Sequence, residues 1–476
     1  MTVTDPARVP LPLPPAPRLP RAAQTALYFR DPPAFLERCR RRFGPVFRVR
    51  FVAAPRLVYV AEPELARRVF QTDRDIGRAG AVRRDFLAPL VGEHSLLCLD
   101  GEAWLRQRRL LAPAFHGPAV EGFAREIAAI AAAEIEAWPL GEALELRPRM
   151  QAITLEVILR VVFGIRDASR LARLRELLPP LLEGRAWLAL WVLPQPARER
   201  LMPGARPGLL ARGPITRFRE LRAELDRILY EQIRGRRAAA GGEPRDALAM
   251  MLAARDEAGK PLSDEELRDE LVTLLTAGHE TTATALAWAL ERLARHPGCL
   301  ARLRAELEAG DERYLDAVVK ETLRSRPVVI DAPRLLDAPL RLNGYEVPPR
   351  WYVAPAIPLV HAHPAAFPDA DAFRPERFLD GGADLQAWIP FGGGMRRCLG
   401  SHLALVEMRA VIAEVVRRLE IAPASPAPER QAIRHVTLVP ARGARLRLRP
   451  AQAASGLATG APVSSRPARS SRTLAR

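Results

Sequence analysis

A cysteine-containing loop near the C-terminal end of the chain has the residue types best suited to chemistry. Residues 391–400 read FGGGMRRCLG. Apolar residues recur at helical spacing from Leu399 to about Arg418, so Cys398 is predicted to lie at a helix N-terminus, where N–H groups favour a thiolate. The three glycines would let the backbone turn tightly and approach a flat partner. One thiolate suits a single soft-ligand bond to a metal better than a four-ligand zinc cage, but a buried structural cysteine explains the loop equally well.

A second group of polar residues lies inside a long predicted helix, from Asp264 to Arg295, about 48 Å at 1.5 Å per residue. Residues 277–282 read AGHETT. A mid-helix glycine costs about 1 kcal/mol relative to alanine, and Thr281 can bond back to the carbonyl four residues earlier. The resulting gap would hold a diatomic ligand and a water, with Glu280 and Thr281 handling protons. Close helix packing against the two small residues is the alternative.

Two weaker patterns pair a charged residue with a partner on the same helix face. Glu321 and Arg324 are neighbours at i and i+3, and Arg377 in a nearby loop could join them in a buried network. Most such pairs are solvated and contribute little, about 1 kcal/mol or less. Trp104 and Arg108 are one turn apart, and an indole N–H beside a guanidinium suits the carboxylates of a ligand. An ordinary exposed basic helix is the alternative.

Composition restricts the functional class. The net charge is +17, but Lys260 and Lys320 are the only lysines among 72 basic residues, and the arginines are spread along the chain. That distribution disfavours nucleic-acid binding, which needs a clustered basic face. The four cysteines form no CxxC pair, and no run of about 18 apolar residues or signal-peptide segment occurs. We therefore expect a soluble, cytoplasmic protein with reduced thiols and no membrane anchor.

The elements that must position these groups are mostly helices, with small sheets at both ends of the chain. Residues 1–21 are predicted to form a proline-rich arm, residues 22–450 one domain, and residues 451–476 a disordered tail. Residues 77–100 are predicted to form a long loop with at most one short helix, and residues 118–138 one amphipathic helix. Residues 168–190 are predicted to be helical, and residues 194–213 to form a surface loop.

Taken together, these motifs resemble those of the cytochrome P-450 family of haem-thiolate monooxygenases. The cysteine loop matches the family pattern Phe-x-x-Gly-x-Arg-x-Cys-x-Gly at every fixed position. The long helix matches Ala/Gly-Gly-x-Asp/Glu-Thr, and the Glu-x-x-Arg, Pro-Glu-Arg-Phe and Trp-x-x-x-Arg patterns are present in the family's order. The resemblance extends roughly from Tyr28 to Leu448. It implies a mainly α fold with small β-sheets and a long central helix over a haem b.

The resemblance also implies a role for individual residues. Those expected at the haem are Cys398 as the axial thiolate, Arg396, Trp104, Arg108 and Arg334 at the propionates, and Phe391 and Gly392 in the cysteine loop. Thr281 and Glu280 would organise proton delivery as the catalytic residues. Glu321, Arg324 and Arg377 would support the loop without taking part in chemistry, and His361 would belong to the same scaffold. His279 is expected to pack or to line the pocket.

The implied reaction inserts one oxygen atom of O2 into a substrate and reduces the other to water. No flavin or ferredoxin-like segment follows the haem domain, so electrons from NAD(P)H are expected to arrive through a separate ferredoxin and its reductase. Arg397 would help to dock an acidic partner. The protein is expected to be a monomer of the soluble bacterial type.

The substrate is expected to be an apolar small molecule, hydroxylated or epoxidised. By resemblance the pocket would be lined by residues 82–99, residues 178–215, the long helix, residues 328–330 and residues 436–438, which are rich in aliphatic side chains. Fatty acids, terpenoids, steroids and polyketides all fit. A peroxide-driven enzyme, an isomerase and a non-catalytic haem-binding sensor are the alternatives, although the first two would not need Glu280 and Thr281.

Overall fold

The computed structural model describes residues 11–52, 56–183, 214–239 and 246–451, and it is mainly α-helical with small sheets, as predicted. The helices are α1 (Arg21–Arg30), α2 (Pro32–Phe43), α3 (Pro63–Gln71), α4 (Ala79–Val91), α5 (Gly101–Leu111), α6 (Pro118–Glu121), α7 (Ala124–Glu136), α8 (Leu146–Val157), α9 (Ala168–Glu183), α10 (Pro214–Ala238), α11 (Ala247–Ala253), α12 (Asp264–Arg295), α13 (Pro297–Glu308), α14 (Arg313–Ser325), α15 (Ile357–Val360) and α16 (Ser401–Arg418). The strands are β1 (Val46–Val49), β2 (Leu57–Val60), β3 (Gly77–Arg78), β4 (Ala143–Glu145), β5 (Arg334–Leu336), β6 (Leu340–Leu342), β7 (Tyr345–Val347), β8 (Tyr352–Pro355), β9 (Leu419–Pro423), β10 (Gln431–Arg434), β11 (Thr437–Pro440) and β12 (Arg445–Pro450).

Helix α12 has the predicted bounds. The Ser263 side chain accepts a hydrogen bond from the Glu266 N–H, and the Glu266 carboxylate accepts one from the Ser263 N–H, which forms the predicted capping box. The helix ends before His296, whose position precedes a proline. Because most of its side chains are buried and it packs along α8 and against α16, it passes through the core of the protein.

The largest sheet has five strands in the order β1-β2-β8-β5-β3. Strand β2 runs parallel to β8, and the other pairs are antiparallel. Two hairpins, β6–β7 and β10–β11, and the sheet β4-β12-β9 complete the strands. Strand β5 begins at Arg334, so the sheet places that residue at a fixed point of the scaffold.

Two predictions about helices are wrong. The prediction for residues 77–100 allowed only one short helix within a long loop, whereas the segment contains α4, which has 13 residues and begins where the Asp100 carboxylate accepts hydrogen bonds from the N–H groups of Gly80 and Ala81. A capping group so far along the chain leaves no local signal. The helix predicted over residues 118–138 is divided at Gly122 into α6 and α7.

Other predictions fall partly or wholly outside the described residues. Helix α9 is described as far as Glu183, so its predicted extension and the surface loop after it remain predictions. The same holds for residues 1–10 and for the tail from residue 452 onward. Within the ranges that the structure describes, no helix is both long enough and apolar enough to span a bilayer.

Candidate functional site

The cysteine loop is a tight turn that leads into α16. The Cys398 N–H donates to the Phe391 carbonyl at 3.0 Å, which closes the loop, and α16 begins at Ser401 rather than at Leu399. Gly392 and Gly394 both have positive φ, 69° and 66°. A Cβ on Gly393 would overlap the Phe70 ring, whereas one on Gly392 would meet nothing closer than 4.0 Å. Gly393 therefore allows the loop to pack on α3, and Gly392 leaves the space beside it open.

The Cys398 thiol combines an accessible surface with dense surroundings. Its side chain is exposed to solvent, yet desolvation by the surrounding protein raises the pKa of the thiol. The accessible surface shows that the sulfur is open to a ligand, although the protein atoms around it are dense enough to desolvate a charge. The Gly400 N–H and the charges of Arg108 and Arg397 lower the pKa, but desolvation outweighs them. The predicted stabilisation of a thiolate is therefore present but is not the largest effect.

A buried network connects the cysteine loop to the core. The Arg324 guanidinium donates to both Glu321 oxygens at 2.7 and 2.8 Å, and Arg377 lies 3.2 Å from the same carboxylate. Arg324 also donates to the His361 carbonyl, and the His361 ring accepts from the Ile389 N–H at 2.9 Å. Ile389, the last residue of this chain of contacts, lies two residues before Phe391, where the cysteine loop begins. The sequence interpretation of all four network residues as scaffold agrees with this placement.

The predicted propionate-binding arginines lie in one cluster with two aspartates. Arg396 is ion-paired with Asp100, and Arg334 is ion-paired with Asp73. Burial lowers the pKa of Arg396 to about 10, which does not deprotonate it at neutral pH. Each of these two arginines therefore already has a carboxylate partner from the protein itself.

Two further arginines in the cluster have no carboxylate partner among the described residues. Arg108 lies over the Trp104 ring at 5.5 Å, on which Arg396 also packs at 4.2 Å. Arg83 donates to the Ala79 carbonyl at 3.3 Å, and burial lowers its pKa to about 10. The cluster therefore has four positive charges from arginine and two negative charges from aspartate, so two positive charges remain uncompensated.

That charge balance and the donor set fit a haem. Haem b has one iron and two carboxylates, and the cluster offers two uncompensated guanidinium groups close to one accessible thiol. Within the described ranges, no three His, Cys, Asp or Glu side chains form a group that could hold a metal ion. Sequence reasoning missed Arg83 because its segment was predicted to be a loop.

The middle of α12 presents a notch on one side. Ala277 is exposed and Thr281 is half-buried, although the following turns are fully buried. The Thr281 hydroxyl donates to the Ala277 carbonyl at 2.6 Å, as predicted. Gly278 faces another direction, because an added Cβ would lie 3.2 Å from the Ile158 side chain. Close packing therefore explains Gly278, and the polar gap belongs to Ala277 and Thr281.

The Glu280 carboxylate lies on the side of α12 that packs against α8. Arg147 forms an ion pair with it, and the Gln151 amide donates to its second oxygen at 2.8 Å. His279 is buried beside it, with its ring nitrogen 3.0 Å from the Thr154 hydroxyl. The structure thus confirms a packing role for His279. It also shows that Glu280 is held by a neighbouring helix, a contact that the sequence did not reveal.

The structure brings together two segments that were predicted to line the pocket. Val329 forms a β-bridge with Thr437, and the Leu438 N–H donates to the Val328 carbonyl at 2.7 Å. Val436, in the turn between β10 and β11, is exposed. Most of residues 178–215 lie outside the described residues, so the remainder of the predicted pocket is not described.

Comparison with known sequences gives one consistent result. The family model for cytochrome P450 matches residues 10–446. Cytochrome P450 135B1 of Mycobacterium tuberculosis and Mycobacterium bovis is 44% identical over 92% of this chain and 91% of that protein. Cytochrome P450 135A1 of Mycobacterium tuberculosis is 38% identical over 94% of this chain and 98% of that protein. These matches extend over nearly the whole described region.

Solved structures are similar over the same range. The retinoic acid-bound cyanobacterial CYP120A1 has a TM-score of 0.78 with 26% identity, and the match covers 92% of this chain and all of that one. The haem domain of cytochrome P450DA has the same TM-score with 24% identity, which supports the fold alone. The fold, the motifs and the relatives therefore lead to a single family.

Proposed function

This chain belongs to the cytochrome P450 family of haem-thiolate monooxygenases, and we propose that Cys398 is its axial thiolate and that it oxygenates an apolar small molecule. The observation that carries the proposal is the accessible Cys398 thiol beside an arginine cluster with two uncompensated charges. Haem with a thiolate ligand supplies dioxygen activation, because thiolate donation favours O–O cleavage.

The residues that would hold the haem follow from the cluster. Arg108 and Arg83 would pair with the two carboxylates, and the Trp104 indole N–H, which makes no hydrogen bond to the described residues, would donate to one of them. Arg396 and Arg334 would add positive charge while keeping their aspartate partners. Phe391 and Gly392 would form the wall beside the sulfur, because Gly392 leaves open space there.

Thr281 and Glu280 would move protons on two sides of α12. The Thr281 hydroxyl faces the notch and can accept a hydrogen bond while it donates to Ala277, but it must leave that carbonyl to donate elsewhere. Glu280, the preceding residue, projects about 100° away around the helix, where Arg147 and Gln151 hold its carboxylate. We propose that Glu280 supplies protons from the α8 side and that Thr281 presents them in the notch.

The overall reaction would be RH + O2 + NAD(P)H + H⁺ → ROH + H2O + NAD(P)⁺, or the corresponding epoxidation. The two electrons would come from NAD(P)H through a separate ferredoxin and reductase. Arg397 is exposed next to Cys398 and would contact an acidic partner. Arg397→Glu is expected to slow reduction by the ferredoxin, whereas Arg449→Glu, a reversal at an exposed position on β12, is expected to have no effect.

An apolar substrate is supported by side chains in the segments that were predicted to line the pocket. Leu274 and Ala277 on α12 are accessible, and Val436 is exposed beside the segment that contains Val329. All four cysteines are free thiols, which supports a cytoplasmic location. The chain is proposed to act as a monomer.

The test of the proposed function is the absorption spectrum of the dithionite-reduced, haem-loaded protein with and without carbon monoxide. We expect a strongly red-shifted Soret band that is lost in Cys398→His and kept in Cys299→Ala, the matched cysteine control. Product formation with NAD(P)H and a surrogate ferredoxin system would then establish oxygenation. A wild-type spectrum without the shift, in folded and haem-loaded protein, would refute Cys398 as the ligand.

A further inference from the structure

A recess of about 250 Å³ lies at the C-terminal end of α12, where that helix meets β4, β12 and the connection between β9 and β10. Glu291 in its wall is eleven residues after Glu280, about 16 Å further along the helix at 1.5 Å per residue, so the recess is separate from the proposed catalytic site. We call it the arginine recess, because its charged lining consists of Glu291, Arg295, Glu429, Arg442, Arg445 and Arg447.

Both glutamates of the arginine recess already have arginine partners. The Glu291 carboxylate accepts a hydrogen bond from Arg292 at 2.6 Å and pairs with Arg295 through its other oxygen. The Glu429 carboxylate accepts from the Arg442 N–H at 2.8 Å, and its second oxygen lies 3.6 Å from the Arg442 guanidinium. Because both carboxylates are buried and engaged, their charges are already matched by these three arginines.

Backbone carbonyl groups hold two of the arginines in place. The Arg295 guanidinium donates to the carbonyls of residues 425–427 at distances of 3.2, 3.1 and 2.6 Å. The Arg442 guanidinium donates to the carbonyls of residues 427 and 428 at 3.1 and 3.0 Å. These contacts fix the connection between β9 and β10 against the end of α12. The wall of the recess is therefore preorganised, which lowers the entropy cost of binding a ligand.

Arg445 and Arg447 have no such partners. They are alternate residues of β12, so both exposed side chains project from one face of the sheet, about 7 Å apart along the strand, while Leu446 is buried on the other face. Glu145 on β4 is directly opposite Arg445, yet neither arginine forms an ion pair or a side-chain hydrogen bond in the ranges that the structure describes. Residues 451–476, which follow β12, contain no aspartate or glutamate. Two positive charges therefore line a concave surface without an ion-pair partner.

We propose that the arginine recess binds the diphosphate group of a small molecule. A guanidinium group can donate two parallel N–H bonds to one phosphate, so Arg445 and Arg447 together can bind two linked phosphates. The Ser425 hydroxyl also lines the recess and can donate a further hydrogen bond. Among the described residues, the apolar side chains in the lining are those of Ala143 and Ala424, which offer little to a hydrocarbon ligand. The site does not depend on the haem or on the proposed reaction.

The experiment is isothermal titration calorimetry of the haem-loaded, full-length protein with sodium diphosphate or orthophosphate at constant ionic strength. Diphosphate is expected to saturate one site and to bind at least about tenfold more tightly than orthophosphate, because its second phosphate adds charge-assisted hydrogen bonds. Arg445→Ala with Arg447→Ala should weaken diphosphate binding at least about 30-fold. Both side chains are exposed, so the double variant should fold, and far-UV circular dichroism verifies that it does.

The matched control is Arg38→Ala with Arg42→Ala, which removes two exposed arginines that lie one turn apart on α2 and form no ion pair with the described residues. It should bind diphosphate as the wild type does, because a convex helix face does not surround an anion. The proposal is overturned if the wild type shows no saturable binding, if the Arg445 and Arg447 double variant binds as tightly as the wild type, or if the two double variants lose equal affinity. The last result would show attraction by net charge alone.

Hydrogen–deuterium exchange of the wild type locates the bound anion without any variant. Diphosphate should slow amide exchange in residues 424–430 and 440–447, and it should leave α2 unchanged. Slower exchange confined to other parts of the chain would overturn the assignment to the arginine recess.

Titration with ADP distinguishes a free diphosphate from one that a nucleotide carries. Equal affinities for the two ligands would identify the free anion, and a higher affinity for ADP would identify a nucleotide whose remaining atoms also contact the recess. Both results retain Arg445 and Arg447 as the diphosphate site. Binding of both ligands that is unchanged in the double variant would overturn it.

Discussion

Two glutamates on helices, Glu321 and Glu280, are each paired with arginine, yet their surroundings differ. The Glu321 side chain is fully buried, and its partners are Arg324 on the same helix, Arg377 and a backbone N–H. The Glu280 side chain is 19% exposed, and its partners, Arg147 and Gln151, come from another helix. A closed network fixes a backbone, whereas a carboxylate whose side chain is partly exposed can exchange a proton with its surroundings. The first is suited to scaffold and the second to catalysis.

The largest expected effect is on the closed network. Glu321→Gln leaves Arg324 and Arg377 buried without a full countercharge, so we expect a loss of about 3–5 kcal/mol in the free energy of unfolding, measured by urea denaturation. The matched control is Glu306→Gln, which removes a more exposed pair with Arg302 and should cost about 1 kcal/mol or less. Equal losses of unfolding free energy in Glu321→Gln and Glu306→Gln would show that burial does not make the Glu321 network more important for stability than an exposed pair.

Glu407 extends the comparison, because it is buried but belongs to neither the Glu321 network nor the Glu280 network. One of its oxygens has no partner, and burial raises its pKa to about 8. The folded protein then binds the proton more tightly than the unfolded chain, so this contribution to stability is complete below pH 4.5 and is lost as the pH rises to about 8.

The change at Glu407 can be measured by urea denaturation between pH 5.5 and 7.5. Relative to Glu407→Gln, the wild type should lose up to about 2.7 kcal/mol over that interval, at about 1.4 kcal/mol for each pH unit. Parallel stability curves would show that Glu407 is ionised in the folded protein.

The contacts of Glu280 with Arg147 and Gln151 should affect turnover rather than stability. Glu280→Gln keeps the shape of the side chain but removes its ability to donate and accept a proton, so we expect product formation to fall about 10- to 100-fold. The free energy of unfolding and the haem content should stay near the wild-type values. Glu265→Gln, at the exposed start of the same helix, is the control. A large loss of stability in Glu280→Gln would make this network structural too.

The smallest effect is expected at Arg147. Arg147→Gln removes the positive charge that holds the Glu280 carboxylate, so we expect a few-fold loss of product formed for each NAD(P)H consumed. Arg149→Gln is the matched control, because Arg149 is on the same helix and lies 3.7 Å from Glu134 instead. If Arg147→Gln and Arg149→Gln formed the same amount of product for each NAD(P)H consumed, Arg147 would not position Glu280.

The Glu321 network shows how far local patterns can predict a site. The spacing of Glu321 and Arg324 predicted a pair on one face, and the structure contains it. The burial that makes this pair structural comes from distant contacts, including His361 and Ile389. The length of helix α4 was underestimated and Arg83 was missed for a similar reason, since Asp100, 20 positions along the chain, provides the cap at the start of that helix.

The sequence by itself determined the helical fold class, the family, the bounds of α12 and the candidate residues, because capping, periodicity and short motifs act over a few neighbouring residues. Only the tertiary structure decided which way Glu280 points and which arginines lack a carboxylate partner. The direction of Glu280 depends on contacts between distant parts of the chain, since Arg147 and Glu280 are 133 positions apart. Packing alone brings them together.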